Sequence, residues 1–232
     1  MMNRIPAVSL VIPVLNEAEN ISQILQHVRE VDADGPAEII VVDGDPEGSS
    51  INAIRDEGVR TVAAVKGRAR QMNSGAGLAT GDILLFLHAD THLPPNAFGL
   101  IRAAMNDTGF VGGAFDLGFA TPRRIFKITE SYVFLRTRLT KIPFGDQAIF
   151  IRRDFFDEIG GYRDLPLMED VDLMQRIRKR GGRICIIPEK VRTSPRRYEQ
   201  EGIMFTTIRN AMLQLLYALG VPPERLVRWY KS

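Results

Sequence analysis

Acidic side chains follow two apolar, strand-like runs within the first hundred residues. Asp90 comes three residues after the run 83–87, and Asp43 comes directly after the run 38–42. In an open parallel sheet, ligands bind outside the carboxyl ends of the strands. A carboxylate at that edge is well placed to hold a divalent metal against a phosphate. The two aspartates therefore predict a nucleotide-diphosphate site at one edge of a sheet.

The adjacent pair Glu169 and Asp170 is the best candidate for proton transfer. Val171, Met174 and Ile177 follow it at helical spacing, which predicts a helix that begins at the pair. Carboxylates in a first turn complement the helix dipole, so capping alone accounts for them. A helix N-terminus also favours the ionised carboxylate that a general base needs. The capping interpretation and the catalytic interpretation are compatible.

Two basic clusters are candidates for binding the diphosphate. Lys66, Arg68 and Arg70 surround the predicted N-terminus of a helix, where a phosphate binds well. Surface charge on the first turn of that helix is an equally good interpretation. Arg196 and Arg197 form the second cluster and are also predicted to contact a diphosphate.

The first half of the chain alternates strand and helix. Asn16 is predicted to cap the first helix, and Pro94-Pro95 opens the last helix of this half. This alternation indicates an α/β fold with a parallel sheet covered on both faces. The predicted strands are 8–12, 38–42, 59–65 and 83–87, and further helices are predicted near 49–57 and over 68–79.

The second half is less regular, and we expect residues 1–200 to form a single domain, with a nucleotide-binding half at 1–110 and an acceptor half at 111–200. Residues 201–232 are expected to form a C-terminal helical extension. The apolar residues of the helix 201–219 share one face and are expected to pack against their own domain. Covering the active site, dimerisation and contact with a membrane surface are the alternatives. The other predicted elements are a mixed strand at 111–119, a basic helix at 123–141, and strands at 148–152 and 183–187.

The composition is that of an ordinary globular protein. The net charge is only +2, and no nucleic-acid-reading motif is recognisable, so nucleic acid is not expected as a partner. No apolar stretch approaches about 18 residues without a charge, and the first residues lack the apolar core of a signal peptide. The single cysteine, Cys185, is compatible with the cytosol. We expect a cytoplasmic protein, and peripheral contact with the inner face of the membrane stays open.

Taken in order, the motifs resemble family-2-type inverting glycosyltransferases of the GT-A fold, over roughly residues 8–190. The subgroup that this chain resembles carries Leu-His-Ala-Asp-Thr and Gly-Asp-Gln signatures, which occur in this chain at 87–91 and 145–147. The remaining motifs that carry the resemblance are Val-Ile-Pro-Val-Leu-Asn-Glu at 11–17, the strand-end Asp43, Gly-Arg-Ala-Arg-Gln-Met-Asn at 67–73, Ala-Thr-Gly-Asp at 79–82, Gly-Gly-Tyr at 160–162 and Glu169-Asp170.

The resemblance implies a three-layer GT-A-like α/β fold with a mostly parallel central sheet, and a hexosyltransferase that inverts the anomeric carbon. It implies a nucleotide-diphospho-sugar donor, taken as UDP-linked, and an acceptor hydroxyl. Asp170 matches the general base, Glu169 supports it, and Asp90 matches the ligand of Mg²⁺ or Mn²⁺. Asp146, Gln147 and Tyr162 match the acceptor side. Donor-binding positions are Pro13, Asn16, Glu17, Asp43, Arg68, Asn73, His88, Ala89 and Asp90.

Three features depart from the family pattern. The loop 43–46 reads Asp-Gly-Asp-Pro where the family has Asp-Asp-Gly-Ser, and Asp43 has a second interpretation as a residue that bonds its own turn. His88 replaces the first aspartate of Asp-x-Asp. The Gln-x-x-Arg-Trp motif of processive relatives is absent, which argues against polymer synthesis. A homodimer stays open, as do a non-catalytic nucleotide-sugar-binding or membrane-recruited module and, less favoured, a nucleotidyltransferase.

Overall fold

The computed structural model describes residues 5–31, 35–36 and 38–231, without the side chain of Lys231. Apolar, β-branched runs form most of the strands within these residues. In chain order the strands are β1 (Val8–Val14), β2 (Glu38–Asp43), β3 (Val59–Ala63), β4 (Ile83–Phe86), β5 (Thr91–His92), β6 (Phe110–Phe119), β7 (Phe150–Arg152) and β8 (Arg183–Thr193).

These strands form one sheet in the order β3-β2-β1-β4-β7-β6-β8-β5. The strands β3, β2, β1 and β4 run parallel, so their carboxyl ends lie at one edge. The strand β7 is antiparallel to both β4 and β6, whereas β6 and β8 pair in parallel. The α/β fold with a mostly parallel central sheet is therefore confirmed.

Helices cover both faces of the sheet. Side chains of β1 and β4 alternate between two apolar clusters: Leu10 and Leu85 enter one, Val11 and Phe86 the other. A strand that is apolar on both sides is expected where both faces are covered. The helices are α1 (Ile21–Glu30), α2 (Arg68–Leu78), α3 (Ala97–Met105), α4 (Phe126–Thr140), α5 (Arg153–Glu158), α6 (Glu169–Lys179), α7 (Arg196–Glu201), α8 (Ile203–Ala218) and α9 (Pro223–Lys231).

Several predicted boundaries are wrong. Asn16 does not cap α1; it takes a left-handed backbone conformation (φ 58°), and α1 begins after Asn20. The region 49–57 forms only a short 3₁₀ turn at Ile51–Ala53. The last strand continues six residues beyond its predicted end, to Thr193. The helix predicted over 201–219 is interrupted at Gly202, whose φ of 94° suits glycine and separates α7 from α8.

The expected packing of the apolar face of α8 is also wrong. That face points away from the domain, with its side chains between 47% and 72% exposed: Met204, Ile208, Met212, Leu215 and Leu219. The opposite face of α8 is buried instead, through Thr206, Arg209 and Leu213. Leu213 shares a small apolar cluster with Leu226 of α9 and with Met168 and Val171 at the start of α6. Across the described residues, no helix has the length and apolarity that crossing a membrane requires.

Candidate active site

Charged side chains from distant parts of the chain converge on one cavity of about 170 Å³. The loop after β4 supplies His88 and Asp90, and the start of α2 supplies Arg68. The first turn of α6 supplies Glu169 and Asp170, as predicted from the helical spacing that follows them. The 3₁₀ turn at Gly145–Gln147 contributes Asp146, and α7 contributes Arg197. The cavity thus joins a cluster of carboxylates to two guanidinium groups.

The Asp170 carboxylate is fixed by two backbone N–H groups. Oδ2 accepts a hydrogen bond from the N–H of Gly145 at 2.7 Å, and Oδ1 accepts one from the N–H of Val171 at 2.7 Å. Each carboxylate oxygen has a further lone pair, so the group can still accept a proton or a hydrogen bond. The α6 N-terminus adds the positive end of its dipole. Asp170 is therefore held in one orientation and remains able to accept a proton from a bound molecule.

Glu169 and Arg68 form an ion pair beside Asp170. The distance from Glu169 Oε1 to Arg68 Nη1 is 3.3 Å; the glutamate is buried, whereas half of the arginine side chain is exposed. Burial raises the pKa of Glu169 and the neighbouring Asp170 raises it further, although Arg68 opposes the shift. The exposed part of Arg68 leaves guanidinium N–H groups free to bind an anion that enters the cavity.

His88 presents a buried ring nitrogen to the same region. Nε2 is buried and has no hydrogen-bond partner within the described part of the chain. Burial, reinforced by the positive charge of Arg68, lowers the pKa of His88 to about 3, so the imidazole is neutral near neutral pH. Buried polar atoms without a partner are uncommon in folded proteins, and this nitrogen packs against the backbone of Gly145. The adjacent Ala89 is half-buried and packs against the core.

Asp146 is the second buried group with an unused polar atom. Its Oδ1 has no hydrogen-bond partner among the residues described. Burial raises its pKa to about 6; Arg136 opposes this shift, whereas the negative charges of Asp170 and Asp90 add to it. A carboxyl group with this pKa is partly protonated near neutrality, so it can either accept or donate a hydrogen bond. The role of Asp146 on the acceptor side stays a prediction.

The residues of the cavity fit a divalent cation that is shared with a diphosphate. The exposed Asp90 lines the cavity, as does His88 from the same loop. No group of three or more His, Cys, Asp or Glu side chains that could hold a metal alone occurs in the described ranges. Mg²⁺ is commonly held by one or two carboxylates together with substrate phosphates. Asp90 therefore suits a cation whose other ligands come from the substrate and water.

Three predicted site residues form the frame of the site instead. The buried Gln147 amide accepts from Arg136 at 3.0 Å and donates to the carbonyl of Phe115 at 2.9 Å, which pins the 3₁₀ turn. The Asn73 amide donates to the carbonyl of Tyr162 at 2.7 Å and accepts from the N–H of Tyr162 at 2.9 Å. The Tyr162 ring is buried against Phe86 and Phe156. Gln147, Asn73 and Tyr162 are thus committed to internal contacts and do not line the cavity.

The other predicted donor-binding residues lie at the neighbouring part of the same sheet edge. Asp43 ends β2 and is fully buried; its carboxylate accepts N–H groups of Asp45, Ser50 and Ile51 at 3.0, 2.8 and 3.2 Å. The interpretation as a residue that bonds its own turn therefore holds. The half-buried Pro13 lies within β1, and Asn16 and Glu17 follow the strand; the Glu17 N–H donates to the Ser50 hydroxyl at 3.0 Å.

Aromatic and polar residues of the last helices complete the cavity; Asn210 and Tyr230 were missed from the sequence, whereas Tyr198 directly follows the two arginines predicted to contact a diphosphate. Tyr198, Asn210 and Tyr230 line it, and the Arg197 guanidinium lies over the Tyr230 ring at 4.1 Å and donates to its hydroxyl. Of the two arginines predicted to contact a diphosphate, Arg197 lines the cavity and the exposed Arg196 does not. The motif Arg196-Arg197-Tyr198 was the only local signal; nothing in the pattern around Asn210 or Tyr230 marks a site.

Comparison with known proteins shows the family and the fold of the chain. A sequence model described as glycosyl transferase family 2 matches residues 9–163. A probable glycosyltransferase of Bacillus subtilis, YdaM, is 27% identical in an alignment of 215 residues that covers 82% of this chain and 51% of the relative. The chain thus spans about half the length of that curated relative.

Solved structures of similar fold are glycosyltransferases at low sequence identity. Mannosyl-3-phosphoglycerate synthase from Rubrobacter xylanophilus matches with a TM-score of 0.60 at 20% identity, over 93% of this chain and 75% of that one. The mannosyltransferase PcManGT from Pyrobaculum calidifontis, in complex with GDP-Man and Mn²⁺, gives 0.59 at 21%, over 81% and 56%. GalNAc-T7 with UDP, GalNAc and Mn²⁺ gives 0.62 at 18%, over 83% and 44%. At such identities the likeness establishes the fold.

Proposed function

Because the chain belongs to glycosyl transferase family 2, we propose that it moves a hexosyl group from a nucleotide-diphospho-sugar, UDP-linked in the first instance, to an acceptor hydroxyl, with inversion of the anomeric carbon. One observation carries the proposal: Asp90, Asp170 and Arg68, which are far apart in sequence, line a single cavity at the carboxyl edge of the parallel strands. Ligands of open α/β sheets bind at this edge.

Asp170 is the proposed general base. Its carboxylate takes the proton of the acceptor hydroxyl while the hydroxyl oxygen forms a bond to the anomeric carbon. The bond from that carbon to the diphosphate oxygen breaks, and the electron pair leaves with the diphosphate. The two N–H donors that hold Asp170 keep it in position for this transfer, and such positioning lowers the barrier of a bimolecular step. Glu169 orients the base and holds Arg68 through its ion pair.

The departing diphosphate is the group that gains negative charge. Arg68 and Arg197 are the guanidinium groups of the cavity, and both can donate to phosphate oxygens. A divalent cation held by Asp90, Mg²⁺ or Mn²⁺, would neutralise part of this charge. Two neighbours of the same fold are complexes with Mn²⁺ and with a nucleotide or nucleotide sugar, which supports this part of the proposal.

The acceptor is proposed to enter beside Asp146 and the last helices. Asp146, Tyr198 and Asn210 line the cavity on that side, together with apolar atoms of Phe144 and Leu213. This would make residues 201–232 more than an appendage to the catalytic domain at 1–200, because α8 and α9 supply part of the acceptor wall. A mixed polar and apolar wall suits a hydroxyl carried on a partly apolar group.

The test is Asp170→Asn, measured in two assays. Donor binding is followed by calorimetry with UDP-sugars and GDP-sugars in the presence of Mn²⁺, and turnover is followed by release of the nucleoside diphosphate. We expect turnover to fall at least about 100-fold, the scale of general-base catalysis, while donor affinity changes less than about threefold. Asp157→Asn, on the exposed surface of α5, is the matched control. Loss of donor binding would make Asp170 a donor-site residue, and wild-type binding without turnover would favour a nucleotide-sugar sensor.

A further inference from the structure

Two neighbouring helices each expose several large apolar side chains. We call this set the apolar face; its members are between 48% and 75% exposed. Monomeric soluble proteins rarely leave so many large apolar side chains together in water, and such surfaces mark interaction sites. The apolar face consists of Ile128, Leu135 and Leu139 of α4, of Phe205, Ile208, Met212 and Leu215 of α8, and of Leu219 directly after α8.

The α4 and α8 helices lie side by side, so their outward faces form one surface. The Thr129 hydroxyl of α4 lies 3.0 Å from the Thr207 hydroxyl of α8. A small cavity between the helices is lined by Val133 from one side and Ala211 from the other. Both helices turn their buried residues towards the domain, which leaves the apolar face pointing outwards.

The apolar residues of α8 recur at the spacing of an amphipathic helix that lies along an apolar surface. Ile208, Met212, Leu215 and Leu219 recur at intervals of three or four residues, and the only charged residue of α8, Arg209, is buried on the opposite side. The helix thus has an apolar outer face about 16 residues long, without a charge. The face is wide enough to enter a bilayer interface but belongs to a helix too short to cross it.

The surroundings of the apolar face are strongly basic. Residues 121–141 and 194–231 together carry twelve Lys and Arg against four Asp and Glu, whereas the whole chain carries 30 against 28. The rest of the chain is therefore net acidic. Arg136 and Arg209 of these basic residues are buried, whereas Arg124, Lys141, Arg225 and Arg228 are exposed, and we call these four the basic border. Apolar side chains surrounded by cations suit a surface that offers both hydrocarbon and phosphate.

We propose that the apolar face docks on the surface of a bilayer that contains anionic lipids. A second copy of the chain is disfavoured as the occupant, because a symmetric dimer would bring each basic border against its own image. A bilayer instead takes the apolar side chains below its headgroups and pairs the cations with lipid phosphates. The proposal does not depend on the sugar-transfer reaction, since none of the side chains of the apolar face lines the cavity at Asp170.

Trp229 gives a fluorescence signal from α9, the helix that packs against α8. It is the only tryptophan of the chain, it lies on α9, and its side chain is half exposed. The α9 helix packs on α8 through Leu226 and Leu213. Tryptophan favours the headgroup region of a membrane, and its emission moves to shorter wavelength when the ring leaves water. Because α9 packs on the buried side of α8, Trp229 emission reports whether α9 also enters the headgroup region, and co-sedimentation is the measure of docking through the apolar face.

The experiment uses the full chain with vesicles of phosphatidylcholine alone and of phosphatidylcholine mixed with phosphatidylglycerol. We expect co-sedimentation with the mixed vesicles, and at least about tenfold weaker binding to phosphatidylcholine alone. The double variant Ile208→Ser with Leu215→Ser should weaken binding to mixed vesicles at least about tenfold, because two apolar anchors are lost. Arg124→Gln with Lys141→Gln should weaken it several-fold and reduce its dependence on salt.

Matched control variants show whether a loss of vesicle binding is specific to the apolar face and the basic border. Val65 and Lys179 are exposed elsewhere, so Val65→Ser and Lys179→Gln should bind vesicles as the wild type does. Each variant is checked for an unchanged unfolding transition. Failure of the wild type to bind mixed vesicles would overturn the proposal, as would full binding by the Ile208→Ser, Leu215→Ser variant. A wild-type dimer in light scattering that this variant converts to a monomer would also overturn it and identify a second copy as the occupant.

Discussion

The backbone N–H of Gly145 lies 2.7 Å from Oδ2 of Asp170, and Gly145 has no room for a side chain. A Cβ atom on Gly145 would lie 2.9 Å from Nε2 of His88 and 3.6 Å from Oδ2 of Asp170. The glycine therefore sits at the meeting point of the loop after β4 and the first turn of α6. Its small size allows the candidate base and the candidate metal-binding loop to share one cavity.

Gly145→Ala should impair catalysis without unfolding the protein. The added methyl group must displace either the His88 ring or the turn that donates to Asp170. A shift of the base by a fraction of an ångström to one ångström lowers kcat by about 10- to 100-fold. Steady-state kinetics measures the loss, and urea unfolding shows whether the fold is retained.

His88→Ala provides the control for this clash. If the methyl group acts by pressing on His88, the double variant Gly145→Ala with His88→Ala should be no slower than His88→Ala alone. Additive losses in the double variant would show that the substitution acts elsewhere.

Asp90→Asn should weaken binding of a divalent cation in the presence of nucleotide. The described residues provide no three-ligand metal cluster, so the proposed site depends strongly on this one carboxylate. Loss of its charge should raise the Mn²⁺ concentration for half-maximal UDP or GDP binding by about tenfold or more, equivalent to roughly 1.4 kcal/mol. Calorimetric titration of Mn²⁺ with each nucleotide measures this without turnover. Asp154→Asn, exposed on α5, is the control; an unchanged Mn²⁺ requirement in Asp90→Asn would contradict the proposed ligand.

The half of the site that the sequence predicted depends on local pattern and one topological rule. The run 83–87 forms β4 because it is apolar on both faces, and Glu169-Asp170 begins α6 because apolar spacing follows it. Parallel strands place their carboxyl ends at one edge, which accounts for the position of Asp90. These inferences need no knowledge of distant contacts.

The half that the sequence did not predict depends on how the helices dock. Periodicity showed that 201–219 is amphipathic, but the face that docks carries Arg209, whose charge is compensated by Glu201 and by stacking near Tyr230. A hydropathy pattern predicts an arginine to be exposed and does not reveal the partners that allow it to be buried. The same docking brings Asn210 and Tyr230 to the cavity. Gln147 was predicted at the acceptor side from the family resemblance, whereas its actual partners, Arg136 and the Phe115 carbonyl, are set by tertiary packing.

Glu38 should make the stability of the fold depend on pH in the acid range. Burial acts to raise its pKa, but hydrogen bonds from Thr80 and Ser9 and from Arg60 outweigh it and lower the pKa to about 2. A carboxyl group whose pKa is lower in the folded state stabilises that state above its ordinary pKa of 4.5. This stabilisation is lost as the pH falls from about 4.5 towards 2.

Glu38→Gln should therefore cost about 1–3 kcal/mol of unfolding free energy near neutral pH. The difference from the wild type should shrink as the pH falls through the acid window, because the wild-type carboxylate then becomes protonated. Urea unfolding across the pH range measures both effects. Glu19→Gln, on the exposed loop before α1, is the control. A stability difference that stays constant down to about pH 2 would contradict the assignment.

Substitution by alanine should lower the unfolding free energy strongly at Leu213 but hardly at the neighbouring Met212. Leu213 is fully buried in the cluster with Leu226 and Met168, whereas the Met212 side chain is 48% exposed on the other face of α8. Leu213→Ala removes core packing and should lower the unfolding free energy by about 2–5 kcal/mol. Met212→Ala should change it by less than about 0.5 kcal/mol, as substitutions at exposed positions usually do. Urea unfolding of both variants measures the contrast, and a larger loss for Met212→Ala would show that α8 docks through the face assigned here to the outside.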